Sequence, residues 1–98
     1  MKNIFVIGSL NMDLVVNVDT MPKPGQTIIG SNFKEVPGGK GANQAVAMAR
    51  LNGNVSMIGK VGEDGFGQTL INSLKNDKVD TIYIQTSKGA TGVALITV

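Results

Sequence analysis

The sequence contains no cysteine and no histidine among its 98 residues. Without cysteine, a disulfide framework and a thiolate metal site are excluded. Without histidine, the commonest general base and metal ligand is missing. Any acid–base chemistry in these residues must therefore rest on carboxylates or lysine.

The chain also lacks a strong charge imbalance and a long hydrophobic segment. Nine Lys and Arg stand against seven Asp and Glu, which gives a net charge of +2. With no basic cluster, this balance does not favour nucleic acid as a partner. The N-terminal apolar run stops at Asn11 and is too short for a secretory signal or a membrane span. We therefore expect one small, soluble, cytoplasmic unit with no nucleic-acid or membrane partner.

Glycine is plentiful, and three glycines lie in the run Pro37-Gly38-Gly39-Lys40-Gly41-Ala42-Asn43-Gln44-Ala45. Glycine lets the backbone approach a ligand closely and adopt positive φ, and the residues that follow favour a helix. The loop thus precedes a helix N-terminus, where unpaired N–H groups and the positive end of the dipole lie. Lys40 and Asn43 are three residues apart and can face the same way if the helix begins near Lys40. The run predicts a site for an oxygen-rich ligand.

This loop differs from two familiar phosphate-binding loops. A P-loop needs Ser or Thr after Gly-Lys, and here Gly41 follows Lys40. A dinucleotide fingerprint needs Gly or Ala at the position of Gln44 and a strand directly before the loop, whereas Val36-Pro37 precede it. The plainer alternative is a tight connection with a solvated lysine, and the residues alone leave both interpretations open.

The order of apolar segments and turn signals predicts layered α/β structure. A continuous apolar run near the N-terminus is typical of a strand buried on both faces, and a helix between two such strands predicts a parallel, right-handed βαβ unit. The expected elements are a strand at residues 4–8, a first helix stopped by Gly53, a strand at 55–61, a helix at 66–76 capped by Asp64, and a third strand at 79–84.

Two further β-rich segments, residues 14–19 and 27–33, lie between the first strand and the glycine loop. The run Met21-Pro22-Lys23-Pro24-Gly25 separates them and marks a turn. Neither segment has a helical neighbour, so they predict an antiparallel flap that covers something or pairs with a partner. Residues 91–98 form an apolar strand without a polar tail, and we expect the sequence to be the front piece of something longer.

Five motifs agree in order and spacing with one known family. They are Gly8-Ser9-Leu10-Asn11-Met12-Asp13, Pro24-Gly25-Gln26-Thr27, the glycine run ending at Ala45, Gly59-Lys60-Val61-Gly62-Glu63-Asp64-Gly65-Phe66-Gly67, and Thr91-Gly92-Val93-Ala94-Leu95-Ile96. Over its whole length the chain resembles the N-terminal portion of the ribokinase-like carbohydrate kinases, and Gly-Lys-Gly-Ala-Asn-Gln-Ala is typical of the ribokinase branch. The resemblance implies a ribokinase-like α/β fold over residues 1–98, with a partial parallel sheet, flanking helices, and a small β lid with strands at about 14–36 and 91–98.

The resemblance also implies an activity and a binding site. The activity is transfer of the γ-phosphoryl group of ATP to the 5-hydroxyl of D-ribose, with Mg²⁺ and a monovalent cation such as K⁺, in a homodimer formed through the lid. The implied sugar ligands are Asn11, Asp13, Gly39, Lys40 and Asn43. Carboxylate, amide and ammonium groups together can satisfy the hydroxyls of a polyol. Taken without the family, the same residues have plainer roles. Asn11 and Asp13 could be turn residues, Asp13 also a cap, Asn43 an N-cap, Lys40 a surface charge and Gly39 part of a tight connection.

No catalytic residue is assigned within these 98 residues. The family's general base lies in a Gly-Ala-Gly-Asp motif that, with the nucleotide pocket, is expected beyond Val98. Phosphoryl transfer depends on positioning and charge stabilisation of the γ-phosphoryl group, so this stretch alone is expected to be inactive. Two alternatives stay open: a non-catalytic pentose-binding or assembly module, and a sister kinase for another sugar or a nucleoside.

Overall fold

The computed structural model describes residues 3–98, which form two helices and six strands. In chain order the elements are β1 (Asn3–Ile7), β2 (Asn11–Asn17), β3 (Ser31–Gly38), α1 (Lys40–Arg50), β4 (Asn54–Gly62), α2 (Gly65–Asn76), β5 (Ile84–Ser87) and β6 (Val93–Thr97).

The main sheet has the strand order β1-β4-β5, and both pairings are parallel. α1 precedes β4 and α2 separates β4 from β5, so the predicted parallel βαβ arrangement is confirmed. The core lies between this sheet and the two helices, because alternate strand residues and one stripe of each helix are apolar. Its buried members include Val6, Val55, Met57, Ala45, Leu70 and Leu74.

The predicted burial of β1 on both faces is wrong for the described residues. Val6 is buried against the helices, whereas its neighbours Phe5 and Ile7 are 54% and 79% exposed. Successive side chains of a strand point to opposite faces, and the core forms on the Val6 side only. On the other face, Phe5 meets Tyr83 edge-on, with the ring centroids 6.1 Å apart.

The end of α1 differs from the prediction in one residue. Asn52, not Gly53, adopts the left-handed conformation, with φ of 67°. Its amide donates to Ala49 O and the amide of Gly53 donates to Met48 O, each at 3.0 Å. These two bonds form a Schellman motif with asparagine in the left-handed position.

The third strand of the main sheet begins later than predicted. Residues 79–84 contribute one isolated bridge, between Asp80 and Ser56, and continuous pairing with β4 starts at Ile84. Directly after the bridge, the Asp80 carboxylate accepts a hydrogen bond from the backbone amide of Ile82. A short polar side chain that bonds the backbone two residues on stabilises a turn, and this turn interrupts the strand.

The other three strands form a second sheet with the order β3-β2-β6. β2 pairs antiparallel with β3 and parallel with β6. The predicted bounds of the first two strands are wrong, since β2 begins at Asn11, residues 27–30 are not in a strand, and β3 continues through Pro37 to Gly38. Proline is tolerated there because β3 is an edge strand, so a strand does run directly into the glycine loop.

Candidate functional site

Asn11 and Asp13 lie on β2, whereas the predicted strand bounds of 4–8 and 14–19 left both residues outside a strand. They are two residues apart and therefore share a face of the strand. The Asn11 Nδ2 atom donates to Asp13 Oδ1 at 2.7 Å, and both residues are partly buried. The bond uses one amide hydrogen and one carboxylate oxygen, which leaves acceptor capacity on both side chains. This pair can accept hydrogen bonds from neighbouring hydroxyl groups.

Gly38 is the residue of the glycine loop that touches this pair. It lies opposite Asn11 in the β2–β3 register and is buried. A Cβ atom at Gly38 would stand 2.6 Å from Asp13 Oδ2 and 2.8 Å from Oδ1. No side chain fits beside the carboxylate, so glycine at this position sets where Asp13 can lie.

The next two glycines hold the loop against the segment that joins β1 to β2. Gly39 has φ of 101°, a conformation that favours glycine, and a Cβ atom there would overlap Ser9 O. A Cβ atom at Gly41 would stand 2.8 Å from the Cα of Gly8. The Ala42 amide also donates to Ser9 O at 3.2 Å. The chain after β1 is thus packed directly on the N-terminus of α1.

Lys40 and Asn43 occupy the first turn of α1, and both are exposed. The helix begins at Lys40, which meets the condition stated for Lys40 and Asn43 to face the same way. The described first turn contains no acidic residue, and the N-cap Gly39 has no side chain to cap it. Asn43 therefore does not serve as the N-cap, which was the plainer role open to it. The backbone N–H of Asn43 donates the ordinary helical hydrogen bond to Gly39 O at 2.9 Å.

The predicted ligands fall into two adjoining groups. Asn11 and Asp13 are bonded to each other beside Gly38, and Lys40 and Asn43 follow on the helix that Gly39 opens. A cavity of about 250 Å³ between α1 and α2 is lined by Gly38 and Asn43 but not by Asn11, Asp13 or Lys40. The contact of Gly38 with the Asp13 carboxylate was not predicted. The pair Gly38-Gly39 was the only sequence feature that pointed to a close approach there.

Within residues 3–98 no group of three or more Asp or Glu side chains could hold a metal ion. In the same part of the chain, no helix is long and apolar enough to cross a membrane.

The chain matches the model of the pfkB family of carbohydrate kinases over residues 1–98. It belongs to this family. The ribokinase of Bacillus subtilis is 56% identical over 87% of this chain and 29% of its own length. The ribokinase of Lactococcus lactis is 49% identical over 99% of the chain and 33% of its own length. The deoxyribokinase of Salmonella typhimurium is 46% identical over 85% of the chain and 27% of its own length.

Solved structures of the family share the fold. Ribokinase from Thermotoga maritima superposes with a TM-score of 0.89 and 34% identity, over 100% of this chain and 33% of that one. Arabidopsis thaliana ribokinase, complexed with ribose and ATP, gives a TM-score of 0.88 and 33% identity, over 97% of this chain and 31% of that one. The predicted ribokinase-like α/β fold is confirmed. The chain spans about a third of the length of these relatives.

Proposed function

We propose that this chain is the sugar-binding part of an ATP-dependent ribokinase that phosphorylates D-ribose at its 5-hydroxyl. The observation that carries the proposal is the hydrogen-bonded pair of Asn11 and Asp13 held against a glycine loop. It occurs in a pfkB family chain that is similar to several ribokinases, one of them complexed with ribose and ATP.

In this proposal each ligand meets a sugar hydroxyl with complementary hydrogen-bonding groups. The Asp13 carboxylate accepts from two hydroxyls, and Asn11 offers its amide oxygen. Gly39 brings bare backbone to the sugar, while Lys40 and Asn43 reach it from the first turn of α1. A site that pairs every hydroxyl discriminates against analogues that lack one, because its own polar groups would be left without partners.

We assign the remaining chemistry to regions of the related kinases that lie outside the part this chain matches. ATP supplies the phosphoryl group, Mg²⁺ neutralises charge on its oxygens, and a monovalent cation such as K⁺ activates the enzyme. Among residues 3–98 no three carboxylates lie together as a group that could hold a metal ion. No base is proposed among them, and the 98 residues alone should be inactive. ATP-dependent phosphorylation of ribose by the purified chain would contradict this.

We further propose that the second sheet is a lid that closes over ribose, excludes water and pairs with the lid of a second copy in a cytoplasmic homodimer. Two features support this role. The sheet ends in two edge strands, β3 and β6, which present unpaired backbone groups. Large apolar side chains on those strands are exposed, including Phe33 and Leu95, the latter at 80%.

The direct test is titration calorimetry of D-ribose into the folded chain, with Asp13→Asn as the matched variant. Binding that Asp13→Asn weakens at least about tenfold would support the site, since a hydrogen bond to a charged group contributes about 1.5–3 kcal/mol. Equal binding by both proteins would contradict the assignment of Asp13. If the folded chain binds no ribose, the same pair is compared in the complete gene product.

The similarity to a deoxyribokinase favours one second candidate, a sister kinase for 2-deoxyribose. Phosphorylation rates of the complete gene product on ribose, 2-deoxyribose and fructose separate the two. A ribokinase prefers ribose to 2-deoxyribose, and the sister kinase reverses that order. A non-catalytic module would bind a pentose and phosphorylate none of the three.

A further inference from the structure

The motif from Gly59 to Gly67 has no part in the sugar site described above. It covers the end of β4, the connection to α2 and the first turn of that helix. The motif nevertheless contacts the segment that leads into β6, a strand of the second sheet. The motif therefore connects the main sheet to the second sheet.

Asp64 makes that connection with both oxygens of its carboxylate. Oδ1 accepts from the Gly67 amide at 2.9 Å, which caps α2 as predicted, and also from the Thr91 hydroxyl at 2.6 Å. Oδ2 accepts from the Thr91 amide at 2.9 Å. A helix cap requires one side-chain oxygen and the amide of its own helix. The two bonds to Thr91 are additional and join a second element.

Thr91 is held on its other side by the end of β4. Its hydroxyl accepts from the Gly62 amide at 2.9 Å, and the side chain is only 4% exposed. The neighbouring Glu63 amide donates to Gly89 O at 3.1 Å. Thr91 is thus bonded to the main sheet and to the cap of α2 at the same time.

The glycines of the motif make room for this junction. A Cβ atom at Gly62 would overlap Thr91 N, and one at Gly67 would overlap Gly62 O. Both contacts would be far shorter than any that a real Cβ atom makes. The spacing of Gly62 and Gly67 around Asp64 is therefore explained by the close approach of three backbone segments.

The junction reaches the candidate sugar site through one further residue. Gly92 follows Thr91, and its carbonyl oxygen accepts from the Met12 amide at 3.0 Å. From there β6 runs parallel to β2, with Ala94 opposite Asp13. The contacts run without a gap from Asp64 through Thr91 and Gly92 to the strand that carries Asn11 and Asp13.

We propose that Asp64 and Thr91 form a latch that fixes β6 against the main sheet and thereby positions Asn11 and Asp13 for the sugar. In this role Asp64 is a positioning residue that acts through Thr91 and β6 and does not touch the substrate. The inference rests on the proposed function for its sugar readout, but the latch itself can also be observed without a sugar.

The kinetic test uses the complete gene product with three variants. Asp64→Ser retains one oxygen to cap α2 and loses the second oxygen, Oδ2, which accepts from the Thr91 amide. Thr91→Val removes the hydroxyl at nearly constant volume, and Thr91→Ser restores it. Asp77→Asn at the opposite end of α2 is the matched control, because its carboxylate bonds only the exposed Arg50 among the described side chains.

We expect Asp64→Ser and Thr91→Val to raise KM for D-ribose about fivefold, within the range that substitutions along coupled contacts produce. KM for MgATP should stay unchanged, and Thr91→Ser and Asp77→Asn should behave like the unsubstituted protein. A general loss of folded protein would lower kcat without this selective effect on ribose. An unchanged KM for ribose, equal shifts for both substrates, or a Thr91→Ser protein as impaired as Thr91→Val would overturn the proposal.

A second measurement separates failure of the latch from failure of the proposed function. If Asp13→Asn leaves KM for ribose unchanged, the sugar assignment fails whatever the latch does. Hydrogen exchange then decides on the latch alone: Thr91→Val should speed exchange at the Met12 amide and along β6 and leave the amides of α1 unaffected. Equal exchange rates at the Met12 amide and along β6 in the unsubstituted protein and in Thr91→Val would overturn the latch.

Discussion

The side-chain amide of Asn11 donates a 2.7 Å hydrogen bond to the carboxylate of Asp13 on one face of β2. Gly38 lies beside that carboxylate with no room for a Cβ atom. The pair is therefore confined on two sides before any ligand arrives. Such prior confinement reduces the conformational freedom that binding must remove, which improves affinity.

Replacing Asn11 with a second carboxylate should make ribose affinity depend on pH. In Asn11→Asp, two carboxylates would lie within hydrogen-bonding distance, and their repulsion would raise the pKa of the introduced carboxyl group. At neutral pH both are charged and repel, so ribose should bind more weakly than to the unsubstituted chain. As the pH falls, one group gains a proton and can donate to the other as the amide did, so affinity should recover.

Calorimetric titrations of D-ribose at pH 5 to 8 would measure this effect. Asn11→Ala is the control, since it removes the amide without adding a titrating group and should bind weakly at every pH. A flat profile for Asn11→Asp would argue that the two side chains are not in contact in solution.

Gly38→Ala should damage the site, and Gly65→Ala should not. The new methyl group at position 38 would stand 2.6–2.8 Å from the Asp13 carboxylate atoms, so that Asp13 must shift. Overpacking of this kind destabilises by about 1–3 kcal/mol, and ribose affinity should fall with it. At Gly65 nothing lies within 4 Å of a Cβ atom, and a helical Gly-to-Ala change is neutral or stabilising by up to about 1 kcal/mol.

Urea denaturation and ribose titration of both variants would check this contrast. Equal stability of the two proteins, with unchanged ribose affinity in Gly38→Ala, would show that Asp13 tolerates displacement and that glycine is not required there.

Sequence reasoning located the helices well because their signals are local. The glycine loop before α1 and Asp64 before α2 each mark a helix start within a few residues. The strands of the second sheet were misplaced because pairing decides their bounds. Pro37 argues against a strand by its own chemistry, and only its position on the edge strand β3 makes it acceptable.

Only those parts of the site whose residues lie close together in the sequence could be predicted. Asn11 and Asp13 are close in sequence, so their shared strand face follows from a period of two. The contact of Gly38 with Asp13 and that of Asp64 with Thr91 join residues 25 and 27 positions apart. No local propensity encodes such pairs. The first depends on the register of β2 and β3 and the second on how the two sheets meet, neither of which the sequence alone showed.

Lys40→Met should change stability and sugar binding in opposite directions. Lys40 is exposed at the first position of α1, where a positive charge opposes the helix dipole at a cost of about 0.3–1 kcal/mol. Removing the charge should therefore stabilise the chain slightly, while ribose loses a hydrogen-bond donor and binds more weakly. Lys75→Met in the last turn of α2, where a cation is favourable, is the matched control and should have the reverse sign on stability.

Parallel urea denaturation and calorimetry of the two lysine variants would test this prediction. A Lys40→Met chain that is more stable and binds ribose normally would remove Lys40 from the set of sugar ligands and leave its charge without a role.

Asp64 should make the stability of the protein fall in acid. Hydrogen bonds from the Thr91 hydroxyl, the Thr91 amide and the Gly67 amide hold the pKa of its carboxyl below the ordinary value of 3.8. Since the folded pKa is the lower one, the unfolded chain binds a proton first as the pH falls. The stabilisation is therefore complete above the ordinary pKa and is lost as the pH drops below 3.8 toward the folded value.

The measurement is the free energy of unfolding as a function of pH for the unsubstituted chain and Asp64→Asn. The substituted chain should be less stable at neutral pH, and the difference between the two should shrink on going from pH 5 to pH 2, because protonation removes from Asp64 the charge that the variant already lacks. Thr91→Val should also reduce the acid dependence, since it removes the hydrogen bond that lowers this pKa most. A stability difference that stays constant over this range would mean that the Asp64 carboxylate is not held by Thr91 in solution, and the latch would lose its structural basis.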